Sequence, residues 1–314
     1  MHHKIEQNFI WIILTFSGLA LFEPSLFIWI KPYITLLLGI ILFGIGFTIQ
    51  VSDFKIVWKS RWTALLAIVA RYLLMPSIAY AIGEFLHLSS LELIGLVILG
   101  SCPGGTAANV MAYLSRANVA LTVILTFGTT LLAPIAMPSI IYFFLHKEIS
   151  IPFLSMFENI LLVVFIPLTL GILVKKYFVN ESKNLARVFP TISIFAISLA
   201  IACILSLSQE KVFSFPVRIM TAVIVLNVLG YLIGFIISKC LRCKIREQKS
   251  IFLEYGIFDS ALGVIIATNF FGPLAALPSA LISIIQNVTA SFIVKKSMNN
   301  ITASSDIEGV KQYD

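Results

Sequence analysis

The sequence predicts an all-helical polytopic membrane protein, and three observations carry that prediction. Hydrophobic residues make up 59% of the chain and charged residues 12%, and mean hydropathy is +1.00, so too little polar side chain exists to cover a water-soluble surface. The apolar runs are long and continuous instead of alternating with period two, which excludes an outer-membrane barrel. At about 20 residues per crossing plus short loops, the length allows roughly ten helices.

The expected spans are 8–22, 33–51, 62–83, 91–115, 118–145, 153–174, 188–208, 216–238, 248–271 and 274–294. The first follows Met1 to Gln7 like the apolar part of a signal peptide, but it has no A-x-A-like cleavage site and no Arg- and Ser-rich transit segment before it. It reads as a transmembrane helix. The fourth span stops and restarts at Ser101-Cys102-Pro103-Gly104-Gly105-Thr106-Ala107-Ala108-Asn109. Pro103 donates no backbone hydrogen bond and the Gly pair tolerates unusual dihedrals, so backbone groups come free at bilayer depth. Such groups must be buried in protein or line a wet cavity, as in the broken helices of transporters. The ninth span carries a counterpart, Glu254-Tyr255-Gly256-Ile257-Phe258-Asp259-Ser260-Ala261-Leu262-Gly263. Two halves of five spans face opposite ways because five is odd, which permits inverted repeats, about 8–145 and 153–294, in one membrane domain of residues 1–297.

Basic residues sort the loops. One alternating set, which includes both termini, holds 17 Lys and Arg; the other holds only Lys31, Lys147, Lys211 and Arg218. The positive-inside rule therefore puts both termini in the cytoplasm, with 298–314 as a polar, disordered tail. The formal charge of +7 then reflects orientation and calls for no nucleic-acid partner. Cys102, Cys203, Cys240 and Cys243 form no disulfide framework, and the Cys240/Cys243 pair lacks the further ligands of a zinc site.

Three ionisable residues lie well inside spans, Arg71, Glu254 and Asp259, whereas charges such as Glu84, Glu92, Glu158 and Arg218 lie near span ends, where snorkelling explains them. Each of the three is costly inside a span unless paired or hydrated, so they mark a functional site or a buried ion-pair network that fixes packing. Thr122 and Thr126 share a helical face. With the Asn109 amide oxygen, the Glu254 carboxylate and freed carbonyls they make an all-oxygen set of the kind hard cations such as sodium need, although intramembrane Thr often bonds its own i−4 carbonyl. Thr106 and Ser260 stand where the two broken spans restart, at N-cap positions that either cap the helices or help to hold an anion. No Ser-His-Asp grouping, H-E-x-x-H or phosphate-binding loop is present, so no enzyme activity is expected.

At these residues the chain resembles the bile acid:sodium symporter (BASS) family in its bacterial and organellar branch. The resemblance covers about residues 35 to 295 and rests on Cys102-Pro103-Gly104-Gly105-Thr106-Ala107, Asn109-Val110-Met111, Asn118-Val119-Ala120-Leu121-Thr122, Pro134 and Glu254-x-Gly256, with Pro278-x-Ala280-Leu281 and Asn287. It implies ten helices in two inverted five-helix repeats. Spans 1, 2, 6 and 7 would form a panel domain and spans 3–5 and 8–10 a core domain, with spans 4 and 9 broken and crossed. It also implies a first sodium site at Asn109, Thr122, Thr126 and Glu254, where Ala108 departs from the family's hydroxyl residue. A second family site would be lost, because Arg71 and Phe258 replace two glutamines. Asp259 stands where the family has a substrate-contacting asparagine.

Together these readings imply a monomeric transporter in a bacterial inner membrane. It would carry a small or amphipathic organic anion, such as a bile acid, pantoate or 2-oxo acid, by alternating access with one sodium ion. Thr106, Asn109, Asp259, Ser260 and Arg71 would contact the substrate, and Arg71 would pair with Asp259, Glu254 or both. The alternatives are a proton-coupled or uncoupled carrier, and a solute-binding sensor that does not transport.

Overall fold

The computed structural model describes residues 9–48, 61–146, 151–177 and 217–310, with single positions between 192 and 209. Lys4, Lys55, Lys59, Lys147, Lys183, Arg187, Lys211 and Lys311 fall outside the described residues, and so does much of the expected span 188–208.

The described helices are α1 (Phe9–Phe22), α2 (Ile34–Thr48), α3 (Arg61–Phe85), α4 (Ser90–Ser101), α5 (Ala107–Leu114) and α6 (Val119–Leu145), then α7 (Phe153–Tyr177), α8 (Val217–Cys240), α9 (Ile245–Gly256), α10 (Ser260–Phe271) and α11 (Pro273–Val310). Among the described residues six helical segments are long and apolar enough to cross a membrane: Ser25–Gly44, Arg61–Phe85, Val119–Leu145, Phe153–Tyr177, Val217–Cys240 and Pro273–Ala290. The expected first span falls below that length as a 14-residue helix. The fourth and ninth fall below it because each is two half-helices, α4 with α5 and α9 with α10.

Helix α3 illustrates how these segments sit in lipid. It buries Ala64, Ala67, Ile68, Arg71, Tyr72 and Met75 on one stripe and exposes Trp62, Leu65, Leu66, Val69 and Leu73 on the other. An apolar outer face of this kind is a liability in water and ordinary against hydrocarbon. The half-helices differ. Every residue of α4 from Leu93 to Ser101 is buried, as is the stretch Leu262 to Ala267 of α10, so they run through the interior. Helix α2 packs along α7, α3 along α4, α8 along α9, and α10 along α11.

Local signals set the helix ends. The Ser89 amide and hydroxyl both meet Glu92 Oε2, at 2.9 and 2.8 Å, in a capping arrangement at the start of α4. Asn118 Oδ1 accepts from the Leu121 amide at 3.2 Å at the start of α6. Helix α11 continues to Val310, whereas the sequence suggested an end at 294 and a disordered tail. From 295 to 308 the chain has no Pro or Gly to stop it.

Candidate functional site

Where α4 and α9 end, the chain turns extended. Cys102 adopts φ −65°, ψ 145° and Ile257 φ −115°, ψ 118°. The two extended stretches meet as an antiparallel bridge, Gly104 opposite Phe258. The Gly105 amide donates to Ile257 O at 3.0 Å and the Asp259 amide to Pro103 O at 2.9 Å. The double glycine is what lets the strands approach. A Cβ on Gly105 would press on Phe258 O, and one on Gly104 would overlap the Glu254 carboxylate.

Side chains from four helices satisfy the remaining freed groups. Gln286 of α11 brackets the Phe258 peptide, accepting from its N–H at 2.9 Å and donating to its carbonyl at 3.0 Å. Asn227 of α8 donates to Gly256 O at 2.7 Å and is oriented by the Thr289 hydroxyl, which donates to its Oδ1 at 2.9 Å. The Gly104 amide donates to Thr129 Oγ1 at 3.2 Å. Arg71 of α3, 1% exposed, donates to the carbonyls of Glu254, Cys102 and Pro103, the last two at 3.3 Å. Its guanidinium also lies 5.1 Å from the Phe258 ring centre and 5.7 Å from that of Tyr255.

The Arg71 result corrects the expected carboxylate pairing: the guanidinium reaches Glu254 through its main-chain oxygen. The physical reason is supply. The two breaks leave carbonyl oxygens without amide partners, and a five-donor guanidinium can satisfy several of them at once. Thr129, Asn227 and Gln286 were not singled out from the sequence. Their only signal there is a polar residue inside an apolar span.

On one flank of the bridge an oxygen-rich cluster forms. The Thr126 hydroxyl lies 2.9 Å from Glu254 Oε2, 3.0 Å from Thr122 O and 3.4 Å from Asn109 Oδ1. Thr129 Oγ1 lies 3.5 Å from Glu254 Oε1. These partners are all acceptors, and one hydroxyl proton can serve only one of them at a time. A surplus of buried oxygen acceptors around a carboxylate is the environment that a hard cation neutralises. Asn109, Thr126 and Glu254 thus come together as expected. Thr122 is one turn away and fully buried; its backbone oxygen faces Thr126, while its own hydroxyl donates to Asn118 O at 3.2 Å. Ala108 is buried and adds no oxygen.

On the other flank a small, partly open cavity of about 30 Å³ lies between the starts of α5 and α10. Thr106, Ala107, Asp259, Ser260, Gln286 and Asn287 line it. Thr106 is at the N-cap of α5, as expected, but its side chain makes no cap hydrogen bond. The expectation for Ser260 shifts by one residue. It is the first residue of α10, and Asp259 is the cap, with Oδ1 accepting from the Leu262 amide at 3.2 Å. A carboxylate one residue earlier reaches the same amides and complements the helix dipole. Arg71 lies on the bridge and does not line this cavity, contrary to its expected contact with the substrate.

The sequence is similar to those of known proteins. The model of the Sodium Bile acid symporter family matches residues 35–215. The uncharacterized sodium-dependent transporter YocS of Bacillus subtilis (strain 168) is 37% identical over 292 residues, covering 93% of this chain and 91% of that protein. The probable chloroplastic sodium/metabolite cotransporter BASS1 of Arabidopsis thaliana is 29% identical over 277 residues, 88% of this chain and 69% of that protein. Its counterpart in Oryza sativa subsp. japonica is 27% identical over 278 residues, with 88% and 68% covered.

Proposed function

The chain belongs to the sodium bile acid symporter family, a family of sodium-dependent transporters, and from that premise we propose that it is a sodium-coupled symporter of a small or amphipathic organic anion. Bile acids, pantoate and 2-oxo acids are the candidate classes. The protein works by alternating access, as a monomer in a bacterial inner membrane with both termini cytoplasmic. Its ten spans form two inverted repeats, and one sodium ion is carried per cycle.

The observation that carries this reading is the acceptor surplus around Glu254. The cluster draws oxygens from α5, α6 and α9, so one ion there ties the first broken span to the second. The organic ligand then sits across the bridge, against the starts of α5 and α10. The close packing of α2 along α7 supports a panel and a core that move relative to each other.

Uptake of radiolabelled taurocholate, pantoate and pyruvate into proteoliposomes tests the reading. An inward sodium gradient should drive accumulation of at least one of them, and Glu254→Gln should lose that dependence. Flux that follows a proton gradient and ignores sodium would overturn it.

A further inference from the structure

Away from the bridge, at the end of the bundle where α5 and α8 stop and α9 begins, lies a larger, partly open cavity of about 220 Å³. One face of α9 lines it: Ile245, Gln248, Lys249, Phe252 and Leu253 recur at the three- and four-residue spacing of a single helical stripe. Phe235 of α8 and Ile293 of α11 complete an apolar wall. Phe235 and Ile245 are 44% and 73% exposed, so the cavity lies at the outer surface of the bundle.

Cations gather around it. Lys249 lies in the wall itself, with its Nζ donating to Ser115 O at 3.0 Å just past the end of α5. Arg116 and Arg246 both stand close enough to repel that ammonium. Lys239 Nζ lies 5.5 Å from the centre of the Phe235 ring, over another part of the wall. From Phe235 to Leu253 the sequence has five basic residues and one acid, Glu247. The Glu247 carboxylate turns back to the start of α9, where Oε2 accepts from the Lys244 amide at 3.0 Å. The region is therefore strongly positive beside an apolar hollow.

A small anion would answer that charge and leave the apolar wall without contacts. A neutral apolar molecule would meet the wall and leave the cations repelling one another. A molecule with both a hydrocarbon chain and an anionic head does both, and the exposed surface around this cavity faces a bilayer made of such molecules. We propose that the cavity is a binding site for an anionic phospholipid. One acyl chain lies against Phe235, Phe252, Leu253 and Ile293, and the headgroup phosphate is held by Lys249 and Lys239, with Arg116 and Arg246 beside them. The site is separate from the ion and solute positions at the bridge and does not depend on them.

Native mass spectrometry of the full-length protein in detergent, freed of co-purified lipid, tests this with phosphatidylglycerol and phosphatidylcholine of the same acyl chains. Phosphatidylglycerol should bind about tenfold or more tightly, the margin that several cations near one anionic head provide. Each variant is read as the ratio of the two affinities, which a loss of folded protein does not move. Lys239→Gln and Lys249→Gln should each cut that ratio about fivefold. Ile245→Trp, at an exposed position, narrows the hollow and removes no charge, and should cut the ratio as far. Equal affinities for the two lipids in the wild type would overturn the proposal, as would a ratio that both lysine variants leave intact. A ratio unchanged in Ile245→Trp, or displacement of phosphatidylglycerol by an equal concentration of glycerol 3-phosphate, would show a surface phosphate site without a chain and overturn it as well.

Discussion

Replacing Arg71 by glutamine isolates the feature in which this site departs most from the family pattern. The guanidinium serves the carbonyls of Glu254, Cys102 and Pro103, and of these Pro103 O keeps a second donor, the Asp259 amide. Two acceptors are therefore at stake, each costing about 1–3 kcal/mol if left buried and unpaired. Glutamine can serve one of them. The loss of attraction to the Phe258 and Tyr255 rings adds about 0.5–2 kcal/mol. Arg71→Gln should thus lower the melting temperature by several degrees in sodium-free choline buffer. The same bared carbonyls are what a sodium ion requires, so sodium should restore the loss: an ion at a hundred times its dissociation constant returns about 2.7 kcal/mol. Scanning fluorimetry across a sodium titration measures this. Sodium activation of solute binding should then show a Hill coefficient near one in the wild type and a rise toward two in Arg71→Gln, and further in Arg71→Gln with Phe258→Gln. A wild-type coefficient clearly above one, or a variant whose stability ignores sodium, refutes the reasoning.

Three other outcomes are expected. Glu254→Gln keeps the shape of the side chain and an oxygen for Thr126 but removes the negative charge of the cluster, so sodium-dependent binding should disappear; sodium titration of ligand binding at fixed ionic strength is the measurement. Thr126→Ala should raise the sodium concentration for half-maximal binding by roughly tenfold, the equivalent of one hydrogen-bonding oxygen at about 1–1.5 kcal/mol. Thr122→Ala should shift it less, because that hydroxyl is engaged with Asn118 O, and equal shifts would contradict the geometry. Gln286→Ala strips the Phe258 amide of its acceptor while Phe258 O keeps the Ser260 amide, so a loss of about 1–3 kcal/mol should appear as a lower melting temperature, with Gln286→Glu in between.

The breaks themselves were legible because Pro and Gly inside apolar runs have few other readings, and Arg71, Glu254 and Asp259 stood out because charge in a span demands a reason. The Thr122 and Thr126 spacing was legible from helical period alone. What stayed hidden depends on distance in the chain. Gln286 and Asn227 matter because they serve the peptide groups of Phe258 and Gly256, tens of residues away, and no local pattern reports that. The Arg71 partners were misjudged for a related reason. A side-chain inventory counts carboxylates, whereas the crossing offers main-chain oxygens, whose number depends on which helical hydrogen bonds the breaks remove. Ser260 was placed one residue off because Ser and Asp are both good caps and only the backbone angles decide between them.

The choice of arginine, and the proposal of one sodium ion, follow from charge as well as from geometry. A lysine ammonium at position 71 would be a point charge unable to reach three carbonyls in different directions while lying flat against Phe258 and Tyr255; the planar fork of arginine does both. It places a permanent positive charge where the broken helices have exposed oxygen. Glu254 and Asp259 carry two formal negative charges in the same region, so Arg71 and one sodium ion balance them. A second sodium ion would leave the site one charge positive, which is costly to hold at bilayer depth.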